Sequence, residues 1–294
     1  MLWLEVIVPV PVLEADDVAA MLADELPAAA AGTELRGGEI VFWVPFEAGE
    51  QAVLETRAAV SRLAAAGSRL DPARVHTQPA MPEAEWRDAW KKHFRATRVT
   101  RQIVVAPTWD PCTAAPGEVV VTLDPGMAFG TGTHASTRLV LEELQRLHDQ
   151  GGPGPAQFLD VGCGSGILAI AACLLWPEAR GLAIDNDAIA IRTTTENCAL
   201  NELGDRVTSS ERPVEEVAEV FPLVLANIQA FVLLTMRAAL SATVAAGGTL
   251  ILSGLLTTQV DGVAADFAAL GLVVEEIRAS TDDPQWSSVR LRRP

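Results

Sequence analysis

The segment Phe158-Leu159-Asp160-Val161-Gly162-Cys163-Gly164-Ser165-Gly166-Ile167-Leu168 constrains this chain more than any other. An apolar strand runs into three glycines at alternate positions, and an apolar helix leaves them. Such a strand–loop–helix unit is the mark of a doubly wound α/β domain that holds a nucleoside over the loop. The rest of the chain from residue 134 agrees. A helix is expected at about 134–148, and strands at 157–161, 180–184, 222–226, 248–253, 272–278 and 286–291, with helices between most of them. The run Leu223-Val224-Leu225-Ala226 does not alternate, which suits a parallel strand buried on both faces. The last two strands follow one another without an obvious helix, so an antiparallel pair is expected at one sheet edge.

The spacing of the glycines narrows the ligand. A dinucleotide fingerprint needs its third glycine where Ile167 stands, so Gly162-x-Gly164-x-Gly166 favours a ligand without a pyrophosphate. Glycine lets the backbone turn sharply and lie against that ligand. The expected strand 180–184 ends in Asp185, whose carboxylate can accept hydrogen bonds from both ribose hydroxyls. Asp187 is the better helix cap. Asn227 ends the strand 222–226. In open α/β sheets ligands lie beyond the carboxyl ends of the strands, so Gly162, Asp185 and Asn227 should meet in one crevice.

Upstream stands a second glycine-rich segment, Asp124-Pro125-Gly126-Met127-Ala128-Phe129-Gly130-Thr131-Gly132-Thr133-His134. It lacks the Gly-Lys-Ser/Thr ending of a phosphate loop, which excludes nucleoside triphosphate binding of that type. His134 reads first as a structural residue and second as a base. The Thr137 hydroxyl, one turn into the next helix, can reach a ligand at the helix N-terminus or bond its own backbone.

The first 78 residues read differently. A strand at 2–8, a helix at 14–26, strands at 32–36 and 39–44 joined by Gly37-Gly38, a helix at 49–66 and a short strand at 74–77 give the order β-α-β-β-α-β of a small α+β, ferredoxin-like domain. Residues 79–117 then form a linker. It holds an amphipathic helix at 83–94 with Trp86, Trp90 and Phe94 on one face, expected to pack between domains, and a strand at 103–106; another strand is expected just beyond it at 119–123. The α/β domain fills 118–294.

The formal net charge is −16. Like charge repels phosphate, so direct nucleic-acid binding is not expected; the acidity can instead attract a basic protein or simply serve solubility. The four cysteines show no zinc-ligand spacing or disulfide framework, so no metal site is expected and the thiols suit a reducing cytoplasm. Glu5 interrupts the apolar N-terminal run, which does not read as a signal peptide, and no apolar stretch reaches membrane-spanning length.

With these residues assembled, the chain resembles the ribosomal protein L11 methyltransferase family (PrmA type). The resemblance rests on the 124–134 segment, on Asp160-Val161-Gly162-Cys163-Gly164-Ser165-Gly166-Ile167-Leu168-Ala169-Ile170-Ala171 and on Ala226-Asn227-Ile228. Trp86-x3-Trp90-Lys91 and Ser253-Gly254-Leu255-Leu256 followed by Gln259 add to it. It implies a seven-stranded, Rossmann-like methyltransferase domain behind a small N-terminal recognition domain. It further implies methyl transfer from S-adenosylmethionine to the N-terminal α-amine and lysine side chains of a large-subunit ribosomal protein. By matching position, Thr137, Gly162, Asp185 and Asn227 would contact the cofactor, with Gly164 and Gly166 in the same loop, and Asn227 would lie nearest the transferred methyl. One departure is Asn227-Ile228-Gln229-Ala230-Phe231, where the family has Asn-Ile-Leu-Ala.

Two other readings remain at this point. A lysine methyltransferase acting on a different protein shares parts of the signature. An NAD-dependent oxidoreductase is disfavoured by Ile167 and by the lack of a clear catalytic pair. A methyltransferase of the Asn-Pro-Pro-Tyr type is excluded as a close relative, because Ile228-Gln229 replaces both prolines and the chain has no tyrosine.

Overall fold

The computed structural model describes residues 3–11, 14–26, 29, 32–65, 68–79, 94–124, 132 and 134–294. The chain divides into two units, Met1–Lys92 and His93–Pro294.

The first unit follows the β-α-β-β-α-β order: β1 (Trp3–Pro9), α1 (Ala15–Glu25), β2 (Glu34–Arg36), β3 (Glu39–Pro45), α2 (Gly49–Ala65) and β4 (His76–Pro79). Its antiparallel sheet has the order β2-β3-β1-β4. The β2–β3 turn has two residues, Gly37 and Gly38, with φ of 55° and 95°, as a tight hairpin turn requires. Alternate residues Val6, Val8, Ile40, Phe42 and Val44 share one core with Val18 and Leu22 of α1 and Ala59 and Val60 of α2.

The second unit opens with a three-stranded sheet, β5 (Thr97–Arg98), β6 (Ile103–Pro107) and β7 (Val119–Leu123), in which β6 and β7 run parallel. The segment 79–117 is therefore divided. Its described part from residue 94 packs with the second unit, because β6 pairs with β7 along its whole length. The helix expected at 83–94 lies outside the described residues except for Phe94, which is buried edge-on against Trp109, ring centroids 5.9 Å apart.

The main sheet follows: α3 (Ala135–Asp149), β8 (Gln157–Val161), α4 (Ile167–Leu175), β9 (Arg180–Ile184), α5 (Ala188–Leu200), β10 (Val207–Ser210), β11 (Phe221–Asn227), α6 (Ala230–Ala242), β12 (Val244–Leu256), α7 (Val260–Ala268), β13 (Val273–Ala279) and β14 (Trp286–Arg292). Its strand order is β10-β9-β8-β11-β12-β14-β13. The first five of these strands are parallel, and β14 runs antiparallel to β12 and β13. The antiparallel edge pair matches expectation, and so does the doubly wound α/β class. Strand β10 was not anticipated. Its sequence Val-Thr-Ser-Ser carries one buried side chain, so hydrophobic pattern could not mark it.

Leu159, Val161, Val224, Ala226, Leu250 and Leu252 form one face of the sheet and pack with Leu233 and Leu240 of α6 and Phe267 of α7. Phe158, Leu225 and Ile251 alternate onto the other face and are also fully buried. Burial on both faces is what the unbroken apolar runs required. Helix α3 is tied to the edge pair by Glu143, nearly inaccessible, which accepts from Arg278 and Arg290 at 2.7 Å each. No helix among the described residues is long and apolar enough to cross a membrane.

Candidate active site

Sheet order reverses beside β8: the chain goes to β9 and β10 on one side and to β11 and β12 on the other. A crevice at the carboxyl ends is the geometric result. Register sharpens this. Val161 pairs with Ile184 on one side and with Ala226 on the other. The next residue on each strand is Gly162, Asp185 or Asn227. These three expected site residues therefore stand in one row across three adjacent strands. At about 4.8 Å per strand the row spans about 10 Å, the scale of a nucleoside.

The loop after β8 holds left-handed backbone at Gly162, Gly164 and Gly166, with φ of 71°, 55° and 80°. No residue with a Cβ takes that series cheaply. Neighbours fix the loop. Gly162 and Cys163 donate to the Ile184 carbonyl at 2.8 and 3.1 Å. The Gly164 N–H donates to Asp185 Oδ2 at 3.0 Å, and the Asp187 N–H donates to Asp185 Oδ1 at 3.1 Å. Each carboxylate oxygen thus keeps a lone pair for a further donor. Asp187 caps α5 by accepting from Ile189 N–H at 2.8 Å, the role anticipated for it.

On the other side, the Asn227 Nδ2 donates to Thr137 Oγ1 at 3.1 Å. Thr137 is fully buried in the first turn of α3. Asn227 Oδ1 is buried and has no hydrogen-bond partner among the described residues. An orphaned buried carbonyl is costly unless a ligand supplies the donor. Sequence position alone brought Thr137 and Asn227 to notice; the contact between them was not foreseen.

His134 caps α3. Its Nδ1 accepts from the Ser136 N–H at 3.2 Å, and its ring meets Trp286 edge-on, centroids 4.7 Å apart. Residues 125–131 and 133 of the upstream glycine-rich segment lie outside the described residues. Gln229 is exposed, and Phe231 in the first turn of α6 is 72% exposed.

Sequence reasoning passed over Asp160. It is wholly buried, accepts from the Ala169 N–H at 3.2 Å through Oδ2, and has no partner at Oδ1 among the described residues. Burial, with a contribution from the Asp185 charge, pushes its carboxyl up to about 7. It also passed over Ser253, fully buried on β12. The Ser253 hydroxyl donates to the Ser136 carbonyl at 2.8 Å, and its carbonyl accepts from the Ile228 N–H at 3.1 Å. Ser253 thereby holds the start of α3 and the end of β11 together. The signal for both was a polar residue inside an apolar strand.

The row of strand ends, the glycine loop, the acid at the second strand and the orphaned amide carbonyl suit a nucleoside ligand beside a hydrogen-bond donor. Residues 43–294 match the family model described as ribosomal protein L11 methyltransferase (PrmA). The chain is 41% identical over 228 residues to the ribosomal protein L11 methyltransferase of Geobacter sp. (strain M21), covering 76% of this chain and 72% of that one. It is 38% identical over 290 residues to the protein of the same name from Sorangium cellulosum (strain So ce56), covering 95% and 87%. Among solved structures, the crystal structure of ribosomal protein L11 methylase from Lactobacillus delbrueckii subsp. bulgaricus superposes with a TM-score of 0.60 at 27% identity, covering 68% of this chain and all of that one.

Proposed function

Because the chain belongs to the ribosomal protein L11 methyltransferase (PrmA) family, we propose that it methylates amino groups of ribosomal protein L11, namely the N-terminal α-amine and lysine side chains. The enzyme is an S-adenosylmethionine-dependent protein methyltransferase. When bound, S-adenosylmethionine supplies a methyl group on a positively charged sulfur that leaves readily. The protein supplies orientation and environment.

The single observation that carries the site assignment is the orphaned, buried Oδ1 of Asn227 in the row with Gly162 and Asp185. The Asp185 carboxylate accepts from the ribose hydroxyls. Glycines 162, 164 and 166 bring backbone against the nucleoside. Thr137 orients the Asn227 amide, whose carbonyl accepts an N–H of the incoming amine and aims its lone pair at the methyl carbon. The new N–C bond forms as the C–S bond breaks, and its electron pair stays on sulfur. The proton that the methylated amine sheds would pass to solvent water, since none of these residues is assigned as a base.

The amine must be neutral to attack. At pH 7 that costs about 4.6 kcal/mol for a lysine of pKa about 10.4 and about 1.4 kcal/mol for an α-amine near 8. Desolvation in the crevice lowers an amine's pKa, so the lysine reaction depends on it more. No dedicated base is needed. The N-terminal unit would recognise the substrate, and the acidic chain suits a basic one. A cytoplasmic location follows from that substrate, and the four free thiols agree with it.

The test is methylation of purified L11 with labelled S-adenosylmethionine, read by intact mass and peptide mapping. Methyl groups added on amines support the reading. Cofactor binding with an unmodified L11, and label on another ribosomal protein instead, would transfer the assignment to a different lysine-bearing substrate.

A further inference from the structure

The two glycine-rich segments that dominate the sequence are joined by a side chain that neither contains. Asn197 lies on α5 and is fully buried. Its Nδ2 donates to the Ser165 carbonyl at 2.8 Å, inside the loop 162–166. Its Oδ1 accepts from the Asp124 N–H at 2.8 Å, where the segment 124–134 begins.

Its neighbours on the same helix each serve one side. The Thr194 hydroxyl donates to the Gly164 carbonyl at 3.0 Å. Asn201, at the C-cap of α5, makes a two-point contact with the backbone of β7: its Oδ1 accepts from the Thr122 N–H at 2.9 Å and its Nδ2 donates to the Thr122 carbonyl at 2.7 Å. Positions 194, 197 and 201 recur at helical spacing, so they form one polar stripe along one helix face. Of the three, Asn197 alone bonds both the loop and the approach to the upstream segment.

We infer that Asn197 is a positioning residue for methyl transfer, locking the loop 162–166 to the start of segment 124–134 so that the cofactor meets a loop already in its bound form. It touches neither the methyl nor the amine. This inference rests on the reading of the loop as the cofactor cradle. A loop that must be ordered on binding gives up affinity, so loss of the tie raises the cofactor Kd.

The experiment uses the full chain as wild type, Asn197→Ala, Asn197→Asp, Asn201→Ala and Asp185→Ala. Each is titrated calorimetrically with S-adenosylmethionine and S-adenosylhomocysteine and followed by thermal unfolding. Asn197→Asp keeps the acceptor for Asp124 and loses the donor to Ser165. Both Asn197 variants are expected to raise the cofactor Kd about five- to tenfold, the scale of one hydrogen bond. Asn201→Ala is expected to lower Tm while leaving Kd within about twofold. A folded Asn197 variant with wild-type Kd overturns the inference. So does an equal rise in Asn201→Ala, or failure of both Asn197 variants to fold when Asn201→Ala folds, since each makes the role one of stability alone. An Asp185→Ala chain with unchanged Kd would instead overturn the reading of the loop and strand tips as the cofactor site.

Discussion

The amide nitrogen of Asn227 donates to the Thr137 hydroxyl across 3.1 Å, bridging positions 90 apart in sequence. That bond uses the amide's donor end. Its acceptor end, Oδ1, is left buried at the tip of β11, without a partner among the described residues. The pair therefore forms a fixed acceptor rather than a free-swinging amide.

If that acceptor orients the amine, Asn227→Ala should lower kcat at least about 100-fold, the loss typical of removing one preorganised polar group at a reacting centre. Circular dichroism should be unchanged. Thr137→Val should fall between this variant and wild type, because the amide stays but loses its orienting bond. An Asn227→Ala enzyme with more than about a tenth of the wild-type kcat would refute the assignment.

Asp185 should act on binding more than on chemistry. A hydrogen bond to a charged group contributes about 1.5–3 kcal/mol, so loss of even one ribose contact in Asp185→Ala should raise the cofactor Kd between about 10- and 150-fold, and loss of both should raise it further. Part of the loss comes from the Gly164 N–H, from which this carboxylate accepts. Equilibrium titration measures the effect, and a KM for L11 that rises in its place would argue for a substrate-facing role.

Asp160 gives stability a pH dependence of unusual sign for a carboxyl group. Its ordinary value is 3.8, and in the fold burial raises it to about 7. Between those values the folded chain holds a proton that the unfolded chain releases. Stability therefore falls as pH rises from about 4 to about 7, by at most about 4 kcal/mol. Asp160→Asn should remove this slope. Unfolding midpoints of both proteins from about pH 5 to about pH 8 check it, and parallel curves would count against a buried, shifted Asp160.

Gly254 sets the spacing behind Asn227. It has φ of 79° at the bulge in β12, and a Cβ there would stand 2.7 Å from the Ile228 carbonyl oxygen and 2.8 Å from its carbonyl carbon. Gly254→Ala should cost about 2–4 kcal/mol from backbone strain and displacement. It should also lower the activity of the folded fraction, since Ile228 follows Asn227. Gly262→Ala on α7 is the control: nothing lies within 4 Å of its Cβ, and gain of helix propensity should stabilise by about 0.5–1 kcal/mol. Equal behaviour of the two variants in denaturant melts would dismiss the steric argument.

The charge of −16 should draw a basic substrate through long-range attraction. The KM for L11 should rise several-fold between about 0.02 and about 0.15 M salt, as the Debye length shortens, with the KM for a short lysine peptide changing less. An L11 KM indifferent to salt would leave the acidity to solubility.

The sequence was most readable where pattern and chemistry coincide. Strands β8, β9 and β11 read as apolar runs, and each ends on or just before a residue of distinct type, so pattern alone aligns Gly162, Asp185 and Asn227 at one edge. Backbone register then turned that alignment into a row. What pattern could not supply was contact between distant polar groups. Asp160 and Ser253 sit in stretches dominated by apolar neighbours, Asn197 sits among other polar helix residues that do not mark it out, and the partners of all three are backbone atoms of other elements. Strand β10 escaped for the opposite reason: its pairing with β9 defines it, while three of its four residues are polar.

Strand β14 lies between β12 and β13, so sequence order and sheet order are inverted at that edge. A nascent chain emerging from the ribosome cannot add β13 to the sheet when it appears, because its one neighbour among the described residues, 286–292, has yet to be synthesised. The Glu143 anchor of α3 waits on the same event, since the two arginines that hydrogen-bond to it, Arg278 and Arg290, belong to this late hairpin. In order of synthesis, therefore, Gly162, Asp185 and Asn227 all precede the two arginines that brace α3.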